Sequence, residues 1–259
     1  MNVAKLVSVG EKAHYPFKSY PTVQCKTLLF PGCAFPSQFP RTMDALAGIC
    51  RSAGIGIAYD CCGNPLEGFG EQQSAERVIR NLNWRFAKLG VKRLVLVCPN
   101  CLAYFEGKID CQLASIYEIF EELGVSCKGS FGQGKLFIPC PDMKSRTLEG
   151  RIRACADLSA VETMKGVACC GLRPDIASRG PDYVRKLTTR IIDAAGEKRV
   201  YTYCASCLGQ FSRFGCTNCS HAVSVMLGID EQPDSSRAFL NRAKRKFDRN
   251  TNPLGSPVA

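Results

Sequence analysis

The sequence predicts an α/β protein of two duplicated lobes, each a small mostly parallel sheet flanked by helices, with cysteine stations at the strand carboxyl ends. The first observation behind this is a cysteine order that occurs twice. Cys33, Cys61-Cys62 and Cys98-x-x-Cys101 are followed by Cys140, Cys169-Cys170 and Cys204-x-x-Cys207, at offsets of 107, 108, 108, 106 and 106 residues. The second is that both adjacent pairs run into a glycine, Gly63 and Gly171. The third is that each station follows a short apolar run. The offset is itself a common domain size, so two similar lobes are the simplest organisation.

Element by element, residues 1–25 lack clear periodicity, and Tyr15-Pro16 and Tyr20-Pro21 favour extended backbone, so an arm laid over the first lobe is expected. His14 in that arm reads as a surface or packing residue. Thr27-Leu28-Leu29-Phe30 predicts a buried strand that Pro31-Gly32 stops just before Cys33. Met43, Leu46, Ala47, Ile49 and Cys50 have helical spacing, and Gly54 to Tyr59 predicts a second strand ending at Asp60 and the cysteine pair. A helix is expected from about Ser74 to Leu89, with Val78, Ile79, Leu82 and Phe86 on one face and Gly90 as its stop. Arg93 to Val97 then predicts the third strand, leading into Cys98-Pro99-Asn100-Cys101.

The second lobe repeats the scheme. Leu136 to Pro139 leads to Cys140, a segment ending at Val167-Ala168 leads to Cys169, and Val200 to Tyr203 leads to Cys204. A helix is expected from about Tyr183 to Ala195, and Ala114–Leu123 and Ala222–Leu227 read as matching helices closing each lobe. The divisions are thus an arm (1–25), lobes at 26–134 and 135–229, and a basic tail (230–259). In that tail Ser235 to Phe247 sets Phe239, Leu240, Ala243 and Phe247 against Arg242, Lys244, Arg245 and Lys246. Such a helix packs on its own domain or docks on a partner.

Composition narrows the function classes. With 46% hydrophobic and 22% charged residues in 259, the chain can bury a core without disulfide staples, so its 17 cysteines are surplus to folding. No cleavage-like signal is apparent near Met1 and no window approaches about 18 consecutive apolar residues. A reducing cytoplasmic setting is expected, with membrane association only through a partner. The formal charge of +11 counts every cysteine as neutral. Five thiolates around an iron-sulfur core of about 2+ would make each site about 3− and bring the net charge to about +5. A nucleic-acid partner is therefore not expected, and the aromatic residues are not interleaved with basic clusters.

A Cys-x-x-Cys segment can present two sulfurs to one centre, a cysteine at a neighbouring strand end adds a third, and a vicinal pair adds two. Adjacent side chains diverge, which suits different atoms of a multinuclear cluster, and five soft ligands exceed what one zinc accepts. The rival is a four-sulfur zinc site from Cys204, Cys207, Cys216 and Cys219, which would leave Cys169-Cys170 unexplained. Cys25, Cys50, Cys111, Cys127 and Cys155 lack ligand spacing and read as buried small hydrophobes. Gly68-x-Gly70 is too short for a nucleotide site, and no phosphate loop or hydrolase elbow occurs.

From Thr27 to Gly228 the duplicated order resembles the cysteine-rich family built on paired Cys-Cys-Gly (CCG) motifs. That family includes the B subunit of heterodisulfide reductase and the iron-sulfur subunits of glycolate- and lactate-oxidising enzymes. The resemblance implies two iron-sulfur clusters, of the non-cubane 4Fe-4S type in the heterodisulfide reductase branch, with zinc in one lobe of other members. It places one cluster on Cys33, Cys61, Cys62, Cys98 and Cys101, and the other on Cys140, Cys169, Cys170, Cys204 and Cys207. The function so implied is electron transfer or thiol/disulfide reduction as a subunit of a larger oxidoreductase, acting on a small disulfide. Because the ferredoxin-like CxxCxxCxxxCP run is absent, electrons are expected from an iron-sulfur or flavoprotein partner. The alternative class is a zinc-stabilised interaction or assembly module without redox activity.

Overall fold

Strands buried on both faces pair in parallel, and the apolar runs of this chain do so twice. A computed structural model describes residues 3–248 and 250–254. The first half begins with α1 (Val3–His14), β1 (Thr27–Phe30), α2 (Phe35–Gln38), α3 (Pro40–Ser52) and β2 (Gly56–Ile57). It continues through α4 (Asn64–Gly68), α5 (Gln72–Lys88), β3 (Arg93–Leu96), α6 (Pro99–Phe105), β4 (Gln112–Ser115) and α7 (Ile116–Glu122). The second half runs β5 (Gly134–Leu136), α8 (Thr147–Cys155), β6 (Val161–Thr163), α9 (Pro174–Ala177), α10 (Pro181–Ala195) and β7 (Arg199–Thr202). It closes with α11 (Ala205–Arg213), β8 (Cys219–His221), α12 (Ala222–Met226) and α13 (Ala238–Lys246).

Each half forms a four-stranded all-parallel sheet, in the orders β2-β1-β3-β4 and β6-β5-β7-β8. The order reverses direction between β1 and β3, and again between β5 and β7. In open parallel sheets ligands collect beyond the carboxyl ends at such a switch point. Cys33 and Cys98 leave β1 and β3, and Cys140 and Cys204 leave β5 and β7.

The period of two along the central strands fills both faces of the first sheet. Leu28, Phe30, Leu94 and Leu96 pack with Val78, Leu82 and Phe86 of α5. Leu29, Val95 and Ile57 face the other way, onto Met43 and Leu46 of α3 and Ile116 and Phe120 of α7. That second core runs unbroken into the other half, through Phe137, Tyr203 and Phe211. At the seam, the fully buried His221 packs against Phe35 and Phe39, with ring centroids 4.9 and 5.3 Å away.

Four expectations change. The arm is not extended throughout, since α1 occupies its start, with Val9 and Ala13 packed on the α5 layer. Each sheet has a fourth strand, β4 and β8, at an edge where the sequence lacks an apolar run. β6 ends at Thr163 rather than at Val167-Ala168, so irregular backbone carries the chain to Cys169. Helix α13 turns its large apolar residues Phe239 and Leu240 outward, 61% and 59% exposed, with Phe247 just beyond it 76% exposed, whereas Asn241 and Arg245 are buried.

The last residues return to the first half. The Glu231 carboxylate accepts the Arg41 and Thr42 backbone N–H groups at 2.8 and 2.7 Å, capping α3 from far along the chain. Asn241 donates to the Ser37 carbonyl at 3.0 Å, and Arg245 pairs with Asp44 and donates to the Pro40 carbonyl at 2.9 Å. Ile57 of β2 donates its N–H to the Thr251 carbonyl at 2.8 Å. No helix among the described residues is long and apolar enough to cross a membrane.

Candidate metal centre

In each half the lone cysteine, the pair and the Cys-x-x-Cys meet as one run of sulfur contacts. In the first, Cys33 touches Cys61, Cys61 touches Cys62, Cys62 touches Cys101, and Cys101 touches Cys98. In the second, Cys140, Cys169, Cys170, Cys207 and Cys204 follow the same succession, with the Cys207 and Cys170 sulfurs 3.3 Å apart. The two vicinal sulfurs point to different neighbours, one to the strand-end cysteine and the other to the Cys-x-x-Cys.

Local structure accounts for the arrangement. Gly63 and Gly171 have φ of 83° and 94°, a region L side chains rarely adopt. A Cβ there would lie 3.0 Å from Val78 Cγ1 of α5 and 2.7 Å from Val184 Cγ1 of α10. The glycine after each pair therefore lets the turn sit directly on the following helix. Gly32 (φ 76°) plays a related part, since its Cβ would meet Cys101 Sγ at 3.0 Å. Asp60 accepts the Cys61 N–H at 2.7 Å and is gripped by the Tyr20 hydroxyl. Thr188 of α10 donates to the Cys170 carbonyl at 3.0 Å.

The electrostatics divide each set: Cys62, Cys169 and Cys204 are drawn toward thiolate, whereas contacts with neighbouring thiols and burial push Cys33, Cys61, Cys101, Cys140, Cys170 and Cys207 up. Cys98 and Cys204 are the N-caps of α6 and α11, so each Cys-x-x-Cys occupies a helix start where free N–H groups and the dipole stabilise negative charge. The Cys207 thiol and backbone N–H groups of Ser206 and Cys207 hold Cys204 below the usual thiol range. Contacts from Cys101 and Cys61 bring Cys62 down to about 6, and contacts from Cys140 and Cys170 lower Cys169 strongly. Over the first set, Lys12 Nζ stands 3.7 Å from Cys33 Sγ, and Arg242 joins Glu11 at 3.1 Å. Tyr15, Phe17 and Ala243 pack against Cys33 and Cys61, so α1, the arm and α13 cover that set.

The two sets adjoin across the seam. Asn100, inside the first Cys-x-x-Cys, donates its amide to Cys204 Sγ at 3.4 Å. The four-sulfur site of Cys204, Cys207, Cys216 and Cys219 does not form: Cys207 turns to Cys170, while Cys216 and Cys219 contact each other. Cys25 and Cys50 are buried as expected, but Cys111, Cys127 and Cys155 are only half-buried, with thiols donating to the carbonyls of Val91, Gly129 and Tyr117. His14 is exposed. Lys12, Arg242 and Asn100 escaped the sequence reading because their proximity to sulfur comes from packing between distant segments.

Among the described residues no three Cys, His, Asp or Glu side chains are grouped as a single metal ion requires. The sulfurs form runs of pairwise contacts instead. A soft five-donor run drawn from three separate stretches of each half fits a multinuclear centre better than one tetrahedral ion.

These features define a duplicated α/β protein with a five-sulfur station at the switch point of each sheet. Residues 27–106, within the first lobe, match the family model described as "Cysteine-rich domain" (CCG). No curated protein matches the chain. Among solved structures it is similar to Picrophilus torridus aspartate racemase, at 6% identity over 84% of this chain and 98% of that one, with a TM-score of 0.38. A Yersinia pestis chain titled as an Asp/Glu racemase shows 12% identity over 83% and 98%, with a TM-score of 0.34. Likenesses that distant have no bearing on the chemistry here.

Proposed function

We propose that the chain is an iron-sulfur component of a larger oxidoreductase, transferring electrons or reducing a disulfide in the manner of heterodisulfide reductase. The observation that carries this reading is the five-sulfur run repeated at both switch points. Cys33, Cys61, Cys62, Cys98 and Cys101 would hold one cluster, and Cys140, Cys169, Cys170, Cys204 and Cys207 the other. A bound cluster supplies electrons one at a time. The protein's part is to bring the five sulfurs of each set together, to balance charge over the first with Lys12 and Arg242, and to keep water from the buried pairs.

The halves differ in cover. Terminal segments close over Cys33 and Cys61, while the second pair is followed by Leu172, 41% exposed, and by Arg173, whose ion pair with Asp175 is solvent-exposed. A small disulfide would approach the second set, and the first would receive electrons from a protein donor. Anaerobic purification with iron and acid-labile sulfide analysis tests the reading. Iron and sulfide in equal amounts are expected, falling by about half in Cys62→Ser or Cys170→Ser. A colourless protein with stoichiometric zinc overturns it.

A further inference from the structure

Asn100 sits between the cysteines of the first Cys-x-x-Cys, in the opening turn of α6, yet its side chain serves the other half. Its Nδ2 donates to Cys204 Sγ at 3.4 Å, and Cys204 is fully buried, so bulk solvent does not compete for that acceptor. The same helix meets the second run at its other end, for α6 packs on the turn Cys140–Asp142. Leu102 of α6 packs against both large cores. The start of α6 is therefore held against the second half by packing and not by the hydrogen bond alone.

In the duplicated lobe the matching position is Ser206, whose hydroxyl turns on Cys204 within its own half. Both copies of that position thus serve one sulfur. Among the described residues no side chain of the second half donates a hydrogen bond in return to a sulfur of the first run, where Lys12 stands over Cys33. A donor placed on a ligating sulfur stabilises the charge that an added electron brings, and does so more strongly in a dry surrounding. Hydrogen bonds to sulfur are among the levers that set the potential of an iron-sulfur centre.

We infer that Asn100 is a positioning residue for the second centre: its amide holds Cys204 and raises the potential at which that centre accepts an electron. The first half thereby sets the redox behaviour of the second. One electron, delivered by the donor protein or by dithionite, adds one negative charge; at Asn100 no bond is made or broken and no proton moves. The inference rests on the iron-sulfur reading and goes beyond it, since Asn100 belongs to neither proposed ligand set.

The test uses the full chain, purified anaerobically and titrated with dithionite while electron paramagnetic resonance follows both centres. Asn100→Leu keeps the shape of the side chain and removes the donor. It should lower one midpoint and leave the other in place, with iron and sulfide per chain unchanged. At the wild-type midpoint of the affected centre, the reduced-to-oxidised ratio should fall about threefold or more. The same comparison in Cys62→Ser, which leaves the second centre alone, should show the fall, and in Cys170→Ser, which leaves the first, should not. Asparagine carrying ¹⁵N in its side-chain amide should also give the second centre a nitrogen coupling in pulsed spectra, a readout that needs no change at position 100. Iron-loaded protein whose second midpoint does not move, whose two midpoints move equally, or whose second centre shows no such coupling overturns the inference and leaves the iron-sulfur reading intact. A chain that takes up no iron and sulfide defeats that reading and the inference with it, and metal analysis tells the two failures apart.

Discussion

At the residue scale, the glycine of each Cys-Cys-Gly is as consequential as its cysteines. Gly171→Ala would force a side chain into the left-handed region and bring its Cβ to 2.7 Å from Val184. A loss of about 2–4 kcal/mol is expected in urea unfolding, from strain plus overpacking. Val184→Ala relieves only the clash, so the double variant should stay about 1 kcal/mol less stable than Val184→Ala alone. His221 makes a different demand. Buried fully at the seam, with Nδ1 accepting the Val223 N–H at 3.2 Å, it is pushed down to about 3 by burial. The unfolded chain binds this proton from about pH 6.5 downward and the folded chain does not, so its contribution is complete above pH 6.5 and lost as pH falls towards 3. The slope should be about 1.4 kcal/mol per pH unit, and chemical unfolding of His221→Gln across that window should lack it. Both glycines and all ten run cysteines were legible as letters. The part played by His221 was not, because nothing in Cys-Ser-His signals two phenylalanines arriving from the other half.

At the element scale, helices α3 and α13 depend on residues far away in sequence. The N-terminus of α3 has no side-chain cap of its own, since Phe39 occupies the capping position, and Glu231 supplies the acceptor instead. Glu231→Ala should cost about 1–3 kcal/mol in denaturant unfolding, more than loss of an exposed acid would. Long helices were readable from sequence: α5 and α10 lie within two residues of their expected bounds, α5 because four apolar positions recur on one face and α10 because Gly196 stops it. Short edge strands were not, since β4 reads Gln-Leu-Ala-Ser and β8 Cys-Ser-His, held by neighbours rather than by apolar content. The orientation of α13 also defied its pattern. Hydrogen bonds and ion pairs from Asn241 and Arg245 dock it, leaving an apolar face outward that periodicity alone assigns to the core.

At the scale of the whole molecule, one core spans both halves and the two sulfur runs touch through Asn100 and Cys204. If each run holds a cluster, as proposed, the two paramagnetic centres should interact, broadening the electron paramagnetic resonance signal of the reduced protein. The broadening should vanish when Cys62→Ser or Cys170→Ser removes one centre, and isolated line shapes in the wild type would contradict the arrangement. The duplication was legible in the cysteine spacing, but the seam was not, for it is built from residues such as Phe35, Phe39 and His221 that repeat nowhere. The return of Glu231, Arg242 and Thr251 to the first half has a bearing on biogenesis. Arg242 and Ala243 are synthesised after both cysteine sets, so their share of the cover over Cys33 and Cys61 forms only once the second half has emerged. A cluster of the kind proposed for the first set would therefore enter most easily before α13 docks.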